Sequence, residues 1–105
     1  MTAATNEFTF STAVFWQQRV CAGCGDPGSE AHHVVLRSHG GEHHIDCGLL
    51  LCNKCHRGFH DGQYDIQKDI GKGLLEWPEK VAYVHEVLGD RADSYLLRYY
   101  RIEAP

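Results

Sequence analysis

The sequence predicts a small α+β domain, with a strand, loop, strand, helix order at its centre and helices on both sides. Two runs have β character, AHHVVLR from Ala31 and GLLL from Gly48. The segment NKCHRGFH, which follows from Asn53, suits a short helix. The chain has 105 residues, which is room for one hydrophobic core, so we predict a single domain over residues 1–105. Within it lie a motif-rich core and a C-terminal helical extension, residues 21–60 and 61–105.

The flanking helices are predicted from local signals. Residues 8–20 are rich in aromatic and apolar side chains, and Ser11 is placed to cap a short helix that buries them. Farther on, Pro78 suits the first turn of a helix and Gly89 its C-terminal cap. A last helix carries its apolar stripe at Ala92, Tyr95, Leu96, Tyr99 and Ile102. Such stripes are typical of core packing. The alternative is a partner-binding face, made of Tyr95, Tyr99, Tyr100 and Arg98.

Composition and charge exclude several classes of protein. The chain is 43% hydrophobic and 23% charged, as in ordinary globular domains rather than disordered ones. No apolar run approaches the roughly 18 residues of a membrane span. The N-terminus lacks the features of a signal peptide, so we expect a cytoplasmic protein. The formal charge is −4, with nine acidic and six basic residues over 61–105. This balance argues against a broad basic face for tight duplex binding.

Four of the five cysteines form two CxxC pairs, which are separated by 27 residues. Cys21 pairs with Cys24, and Cys52 pairs with Cys55. Each pair presents two thiolates to one tetrahedral ion, so together they predict a closed, structural zinc site. In a reducing compartment, this spacing favours metal binding over a disulfide framework. Free thiols or redox pairs are the alternative, and Cys47 is left unpaired.

The histidines indicate a second metal site. His32 and His33 stand together in the first β-like run, while His56 and His60 lie four residues apart on one face of the predicted helix. Neutral imidazoles that leave positions open to water or phosphate are typical of catalytic metal sites. His56 directly follows Cys55, and adjacent helical side chains diverge by about 100°, so each can serve a different ion. Taken singly, each histidine fits an ordinary surface or core position.

Together these motifs resemble the HNH endonucleases, the ββα-metal family of nucleases. The matching text is CAGC from Cys21, EAHHVV from Glu30, the Gly40-Gly41 pair, and DCGLLLCNKCHRGFH from Asp46 to His60. The E-x-H-H opening and the H-x-x-x-H close are similar to the nuclease domains of DNase colicins. The paired CxxC turns are similar to the zinc-stapled HNH proteins of phages and bacteria. The resemblance covers about forty residues and does not extend to either flank.

The resemblance implies a role for each matching position. It makes His32 a ligand of the catalytic metal and His33 the general base. His56 and His60 complete the ligand set, as in variants with the H-x-x-x-H spacing. Glu30 matches a supporting acidic position that helps to orient the site. Such imidazole-rich ligation suits Zn, Ni, Co or Mn better than Mg, which prefers oxygen ligands.

One departure from the family pattern lies in the loop between the two strands. Cys47 stands five residues before Cys52, where the family has its namesake asparagine. That asparagine ties the loop to the strand of the base through amide hydrogen bonds, and a thiol makes only weak ones. We therefore expect a loop that holds His33 less rigidly. Asn53 does not replace the missing residue, and we expect it in the first turn of the helix or as its cap.

The implied activity is that of a metal-dependent DNA endonuclease, which hydrolyses phosphodiester bonds by nicking or by double-strand cleavage and leaves 5′-phosphate and 3′-hydroxyl ends. Its cofactors are a structural zinc ion and a catalytic divalent ion, either Zn, Ni, Mn, Co or Mg. The nearest basic side chains for phosphate contacts are Arg37, Lys54 and Arg57. The histidines of the Gly-rich loop are either solvated or in contact with DNA. They are His39, His43 and His44.

Two other functions stay open. A zinc-stapled module that has kept the fold and lost the chemistry would bind DNA or protein, and both Cys47 and the acidic charge favour this interpretation. The chain also fits an accessory subunit of a phage packaging or recombination complex, whose C-terminal helices dock a terminase or another DNA-processing protein. Across these functions we expect DNA or a DNA-processing protein as the partner and no membrane, and the cytoplasm of a bacterial or phage-infected host cell as the location.

Overall fold

The computed structural model of the protein describes residues 6–104. In chain order the helices and strands are α1 (Glu7–Gln18), β1 (Glu30–His33), β2 (Gly48–Leu51), α2 (Asn53–His60), α3 (Tyr64–Leu74), α4 (Pro78–Leu88) and α5 (Ala92–Tyr100). The expected α+β class is confirmed. Within residues 6–104, no helix is both long enough and apolar enough to span a membrane.

The two strands form an antiparallel sheet that separates two apolar clusters. Glu30 lies opposite Leu51, and His33 lies opposite Gly48. Strand β2 is buried along its whole length. Because successive side chains of a strand point to opposite faces, Leu50 packs on α1 while its neighbours face the helices that follow β2. The GLLL run and the helix after it therefore lie where the sequence predicts them.

Helix α1 begins earlier than the sequence predicts. Its cap is Asn6, whose Oδ1 accepts a hydrogen bond from the Thr9 backbone N–H at 2.9 Å, and Ser11 lies inside the helix. The expectation that this helix buries its aromatic side chains is also wrong in part. Phe10 is buried against the sheet together with Val14, whereas the other aromatic side chains of α1 are exposed. They are Phe8, Phe15 and Trp16.

Strand β1 is shorter than the run AHHVVLR and ends at His33. The chain then turns into the core, where both Val34 and Val35 are fully buried. The Val34 carbonyl accepts hydrogen bonds from the hydroxyls of Tyr95 and Tyr100, at 2.9 and 2.6 Å. This carbonyl is thereby satisfied by α5 instead of a third strand.

Helices α3 and α5 meet at close range on the far side of the core. A Cβ atom at Gly71 would clash with the backbone carbonyl of Tyr100, so only glycine allows the two backbones to approach this closely. Tyr95 and Tyr100 are buried, so only Arg98 and part of Tyr99 remain exposed of the partner-binding face considered from the sequence. The last turn of α5 is thus fixed against α3 and directed toward β1.

Candidate metal centre and catalytic cleft

The four cysteines of the CxxC pairs come together at one corner of the fold. Their sulfur atoms all lie within 4.8 Å of one another, and Sγ of Cys24 lies 3.7 Å from Sγ of Cys52. Sulfur ligands at about 2.3 Å in a tetrahedron around zinc are about 3.8 Å apart. The four-cysteine cluster therefore fits a tetrahedral ion such as zinc.

Local backbone geometry prepares these sulfurs for an ion. The Gly23 N–H points at Sγ of Cys21 at 3.3 Å, and the Cys55 N–H points at Sγ of Cys52 at 3.4 Å. Cys52 is also the N-cap of α2, so its sulfur occupies the position where a helix receives negative charge most favourably. These donors stabilise thiolates. The fifth thiol, Cys47, lies in the core and outside this cluster.

Three imidazoles form a second cluster, in which His32 of β1 meets His56 and His60 of α2. One ring nitrogen from each residue lies within 4.8 Å of the others. The ring centroid of His32 is 5.2 Å from that of His56 and 5.8 Å from that of His60. His56 and His60 are brought together by their four-residue spacing on the helix, as the sequence predicts.

Tyr100 determines which nitrogen of His32 carries the hydrogen. The Tyr100 hydroxyl gives its proton to the Val34 carbonyl, so towards Nε2 of His32, 2.8 Å away, it can only accept. Nε2 therefore carries the hydrogen, and Nδ1 keeps a lone pair. Nδ1 is buried and has no hydrogen-bond partner within residues 6–104. A buried, unpaired lone pair beside two other imidazoles is what a metal ion would satisfy.

Glu30 orients the second imidazole of the cluster. Its Oε1 lies 2.7 Å from Nδ1 of His56, and its Oε2 accepts a hydrogen bond from the Asn53 side-chain amide at 2.9 Å. The Asn53 amide, followed by His56, lowers the pKa of the Glu30 carboxyl, which keeps it ionised. An ionised Glu30 holds the hydrogen of His56 on Nδ1 and leaves Nε2 with its lone pair.

Burial and neighbouring imidazoles favour the neutral forms of His32 and His60. Burial lowers the pKa of His32 well below its usual value, and repulsion from His56 and His60 lowers it further. Burial, followed by His56, also lowers the pKa of His60. The pKa of Tyr100 is raised strongly by burial, so its hydroxyl keeps its proton. Neutral imidazoles are the form that binds metal ions.

His33 lies beside this cluster in a different environment. Its ring stacks on Phe10 of α1, with centroids 4.5 Å apart, and its Nε2 lies 3.1 Å from Nδ1 of His43. Nη1 of Arg37 approaches the same His43 ring, at 2.9 Å from Nε2. Burial first, then His43 and Arg37, lower the pKa of His33 to about 4. The His33 ring is thus fixed from two sides and neutral at pH 7.

One open cavity of about 740 Å³ joins His33 to the three-imidazole cluster. His32 and His33 both line it, although adjacent strand residues ordinarily point to opposite faces. The position of His33 at the last residue of β1 allows this exception. Of the basic residues expected to contact phosphate, Arg37 lines the cavity, while Lys54 and Arg57 are exposed on α2 outside it.

The loop between the strands is tied to β1 despite the absence of the family's asparagine. The Val34 N–H donates to the Cys47 carbonyl at 2.6 Å, and the Cys47 thiol donates to the Val35 carbonyl at 3.5 Å. The backbone supplies the stronger of these bonds. The loop is therefore bonded to β1 through the backbone of Cys47, and His43 and Phe10 also contact the His33 ring.

The sequence does not predict the roles of three residues of the site. Tyr100 lies far along the chain, His43 is one of several loop histidines, and Asn53 was expected only in the first helical turn or as a cap. Asn53 does begin α2, but the cap is Cys52. The two other loop histidines lie away from the cavity against tyrosine rings. They are His39, beside Tyr95, and His44, beside Tyr83.

Comparison with known families identifies the central segment. Residues 21–62 match the family described as HNH endonuclease. No curated protein and no solved structure matches the chain. The matched segment contains both clusters that could hold a metal ion, while His32 also contacts a tyrosine outside it.

Proposed function

We propose that this chain, in which residues 21–62 form an HNH endonuclease domain, is a metal-dependent endonuclease that hydrolyses phosphodiester bonds of DNA by nicking or double-strand cleavage. Domains of this family are generally nucleases that act on DNA. One observation carries the proposal. Nδ1 of His32 is buried and has no hydrogen-bond partner among residues 6–104, and its ring brings one nitrogen within 4.8 Å of His56 and His60 in the cavity that also contains His33.

The two clusters would hold different ions. Cys21, Cys24, Cys52 and Cys55 would hold a structural zinc ion, because four thiolates complete its coordination. His32, His56 and His60 would hold a catalytic divalent ion, for which Zn, Ni, Mn or Co suits imidazole better than Mg. When bound there, such an ion would supply Lewis-acid stabilisation of the negative charge on the phosphoryl oxygens.

The protein's own side chains supply the remaining functions. His33 is neutral at pH 7 and accepts a proton from the attacking water. His43 and Phe10 hold its ring in place, so the base reaches the water in one orientation. Glu30 keeps Nε2 of His56 free, and Arg37 is placed at the cavity wall to bind a phosphate oxygen.

Plasmid cleavage tests this function. Purified protein would be freed of loosely bound metal and incubated with supercoiled DNA and Mn²⁺, Ni²⁺, Co²⁺, Zn²⁺ or Mg²⁺. We expect nicked circles with at least one ion and a loss of about 10²-fold or more in His33→Ala, the range for a general base. His85→Ala is the matched control, because His85 is half-exposed on α4, away from the cavity. Equal cleavage by wild type and His33→Ala would overturn the proposal.

A second candidate function is a DNA- or protein-binding module that has lost the chemistry. The formal charge of −4 and the thiol at Cys47 favour it. In that case the protein would bind DNA or a partner and cleave with none of the ions. A cytoplasmic location, a phage setting, a terminase partner and a single domain over the whole chain stay predictions.

A further inference from the structure

A second cavity, along α5, borders the proposed catalytic cavity. This second cavity, about 430 Å³ in volume, shares Leu36 and His60 with the first. Its far side is formed by Arg98, Tyr99 and Arg101. A third cavity of about 630 Å³ adjoins it through Arg98 and Tyr99 and reaches Arg91. We call the second and third cavities together the α5 groove.

The α5 groove is basic in a chain that is acidic overall. Arg91, Arg98 and Arg101 line it, and none of its lining residues, all within the described part of the chain, is Asp or Glu. The whole chain has a formal charge of −4. Three arginines without an acidic neighbour in the lining therefore mark a local site for an anionic partner.

These guanidinium groups are not neutralised by ion pairs. Among residues 6–104, the carboxylates that form close charge pairs all face histidines, and no arginine of the groove takes part. Arg98 is exposed, with its guanidinium 5.5 Å from the centre of the Tyr99 ring. Arg101 donates from Nε to the Gln67 side chain at 3.2 Å. Buried Gln67 is itself anchored to the Phe59 carbonyl, so Arg101 is held in place by a neutral partner.

We propose that the α5 groove binds the sugar-phosphate backbone of the DNA strand that is cut at His33, on the side of the scissile phosphate nearer His60. The inference rests on the proposed nuclease function. Because the groove shares Leu36 and His60 with the catalytic cavity, it lies beside the reacting phosphate, and guanidinium groups suit phosphate oxygens. Contacts of this kind fix the position of the strand without reading its sequence. The groove extends the substrate site beyond the matched segment, into the C-terminal helix.

Binding measured as a function of salt tests the groove. The background is metal-loaded His33→Ala, which keeps the substrate intact, and the probe is a short fluorescent DNA duplex. We expect Arg98→Gln to weaken binding and to reduce the slope of log Kd against log salt by about 0.9, the loss of one phosphate contact.

Arg19→Gln is the matched control. Arg19 is also an exposed arginine above an aromatic ring, 4.6 Å from the centre of Trp16, and it lines neither the catalytic cavity nor the α5 groove. We expect it to leave Kd and slope unchanged. Equal losses of DNA affinity in the two variants would show a general effect of charge and would overturn the proposed role of the groove. Unchanged affinity in Arg98→Gln would overturn it as well.

The groove and the nuclease activity can fail separately. Plasmid cleavage by otherwise wild-type protein is measured beside the binding experiment. If Arg98→Gln changes the salt slope but wild type cleaves with none of the ions, the groove stands and the hydrolase fails. If wild type cleaves and Arg98→Gln binds and cleaves as well as wild type, the hydrolase stands and the groove is wrong.

Discussion

The Tyr100 hydroxyl lies 2.8 Å from Nε2 of His32, across 68 residues of the chain. The same hydroxyl donates to the carbonyl of Val34, the residue that follows His32 and His33 in the chain. A helix outside the matched segment therefore fixes the tautomer of a proposed metal ligand inside it.

Replacing Tyr100 by Phe should weaken the binding of a metal ion at the three-imidazole cluster. Without the hydroxyl, the Nε2–H of His32 loses its acceptor, and the hydrogen is free to move to the nitrogen that faces the ion. We expect a loss of metal affinity of about tenfold to a hundredfold, the usual effect of removing a partner of a ligating histidine. Calorimetric titration of Mn²⁺ or Ni²⁺ into protein with zinc at the cysteines measures it.

Tyr95→Phe is the control for this substitution. Tyr95 is also buried and also donates to the Val34 carbonyl, at 2.9 Å, but the partners of its hydroxyl are backbone groups rather than His32. Both variants should lose about 1 kcal/mol of unfolding free energy, whereas only Tyr100→Phe should lose metal affinity. Similar affinities in the two variants would contradict a positioning role for Tyr100.

Removal of the ion at the four cysteines should destabilise the whole fold. Cys24 is exposed, so Cys24→Ser removes one ligand without opening a cavity. We expect the bound zinc to fall and the unfolding temperature to drop markedly, because metal binding contributes directly to folding in small domains. Atomic absorption and thermal unfolding measure the two effects. Cys47→Ala should keep the zinc, and a Cys24→Ser protein with full zinc and unchanged stability would refute the assignment.

His43→Ala should slow cleavage without changing metal affinity. The substitution removes the contact at Nε2 of His33, so the base samples more orientations. We expect a fall of about tenfold in the rate constant for nicking, since small misplacements of catalytic groups cost factors of this size or more. His44→Ala, on the same loop but stacked on Tyr83, should cleave like wild type. Identical rates for the two variants would show that His43 plays no part.

Lys80 should make stability rise with pH above about 8. The residue is fully buried, and its Nζ donates to the Gln17 side chain and the Ile45 carbonyl, each at 2.8 Å. Burial lowers the pKa of Lys80 to about 8 in the folded protein, against 10.5 for an ordinary lysine. Between these values the unfolded chain holds a proton that the folded one has lost. The contribution of Lys80 to the free energy of unfolding therefore increases with pH, by up to about 1.4 kcal/mol per pH unit.

Chemical denaturation between pH 7 and pH 10 measures this effect against Lys80→Met. The difference in unfolding free energy between wild type and Lys80→Met should shift in favour of wild type as the pH rises. Lys72→Met, at an exposed lysine of α3, should show no such trend. A flat difference for Lys80 would mean that its ammonium group is solvated as well in the folded protein as in the unfolded chain.

Short-range signals account for the parts of the fold that the sequence predicts. The strand Gly48–Leu51 and the helix Asn53–His60 are bounded by a glycine and by a CxxC turn, and α4 by Pro78 and Gly89. Local chemistry is sufficient at these places. The CxxC and H-x-x-x-H spacings likewise brought the proposed ligands together, because each pair is fixed by one turn.

Long-range contacts account for the parts of the fold and of the site that the sequence does not predict. Val34 and Val35 continue an apolar run that is typical of a strand. The Val34 carbonyl, however, accepts hydrogen bonds from two tyrosine hydroxyls of α5 and not from a neighbouring strand. Helix α3 contains Gly71 and Gly73, which weaken a helical signal, and each is needed because another backbone carbonyl lies against it. No local pattern links His32 to Tyr100 or His33 to His43.

The contact between the last turn of α5 and β1 sets the minimal unit for any grafting or truncation experiment. A fragment cut after the HNH segment would contain every proposed ligand but lack the phenol that directs His32. Loss of cleavage on deleting the C-terminal helices would then reflect a misdirected imidazole as readily as a lost docking partner. Chimeras that transplant this domain should accordingly carry the chain through Tyr100.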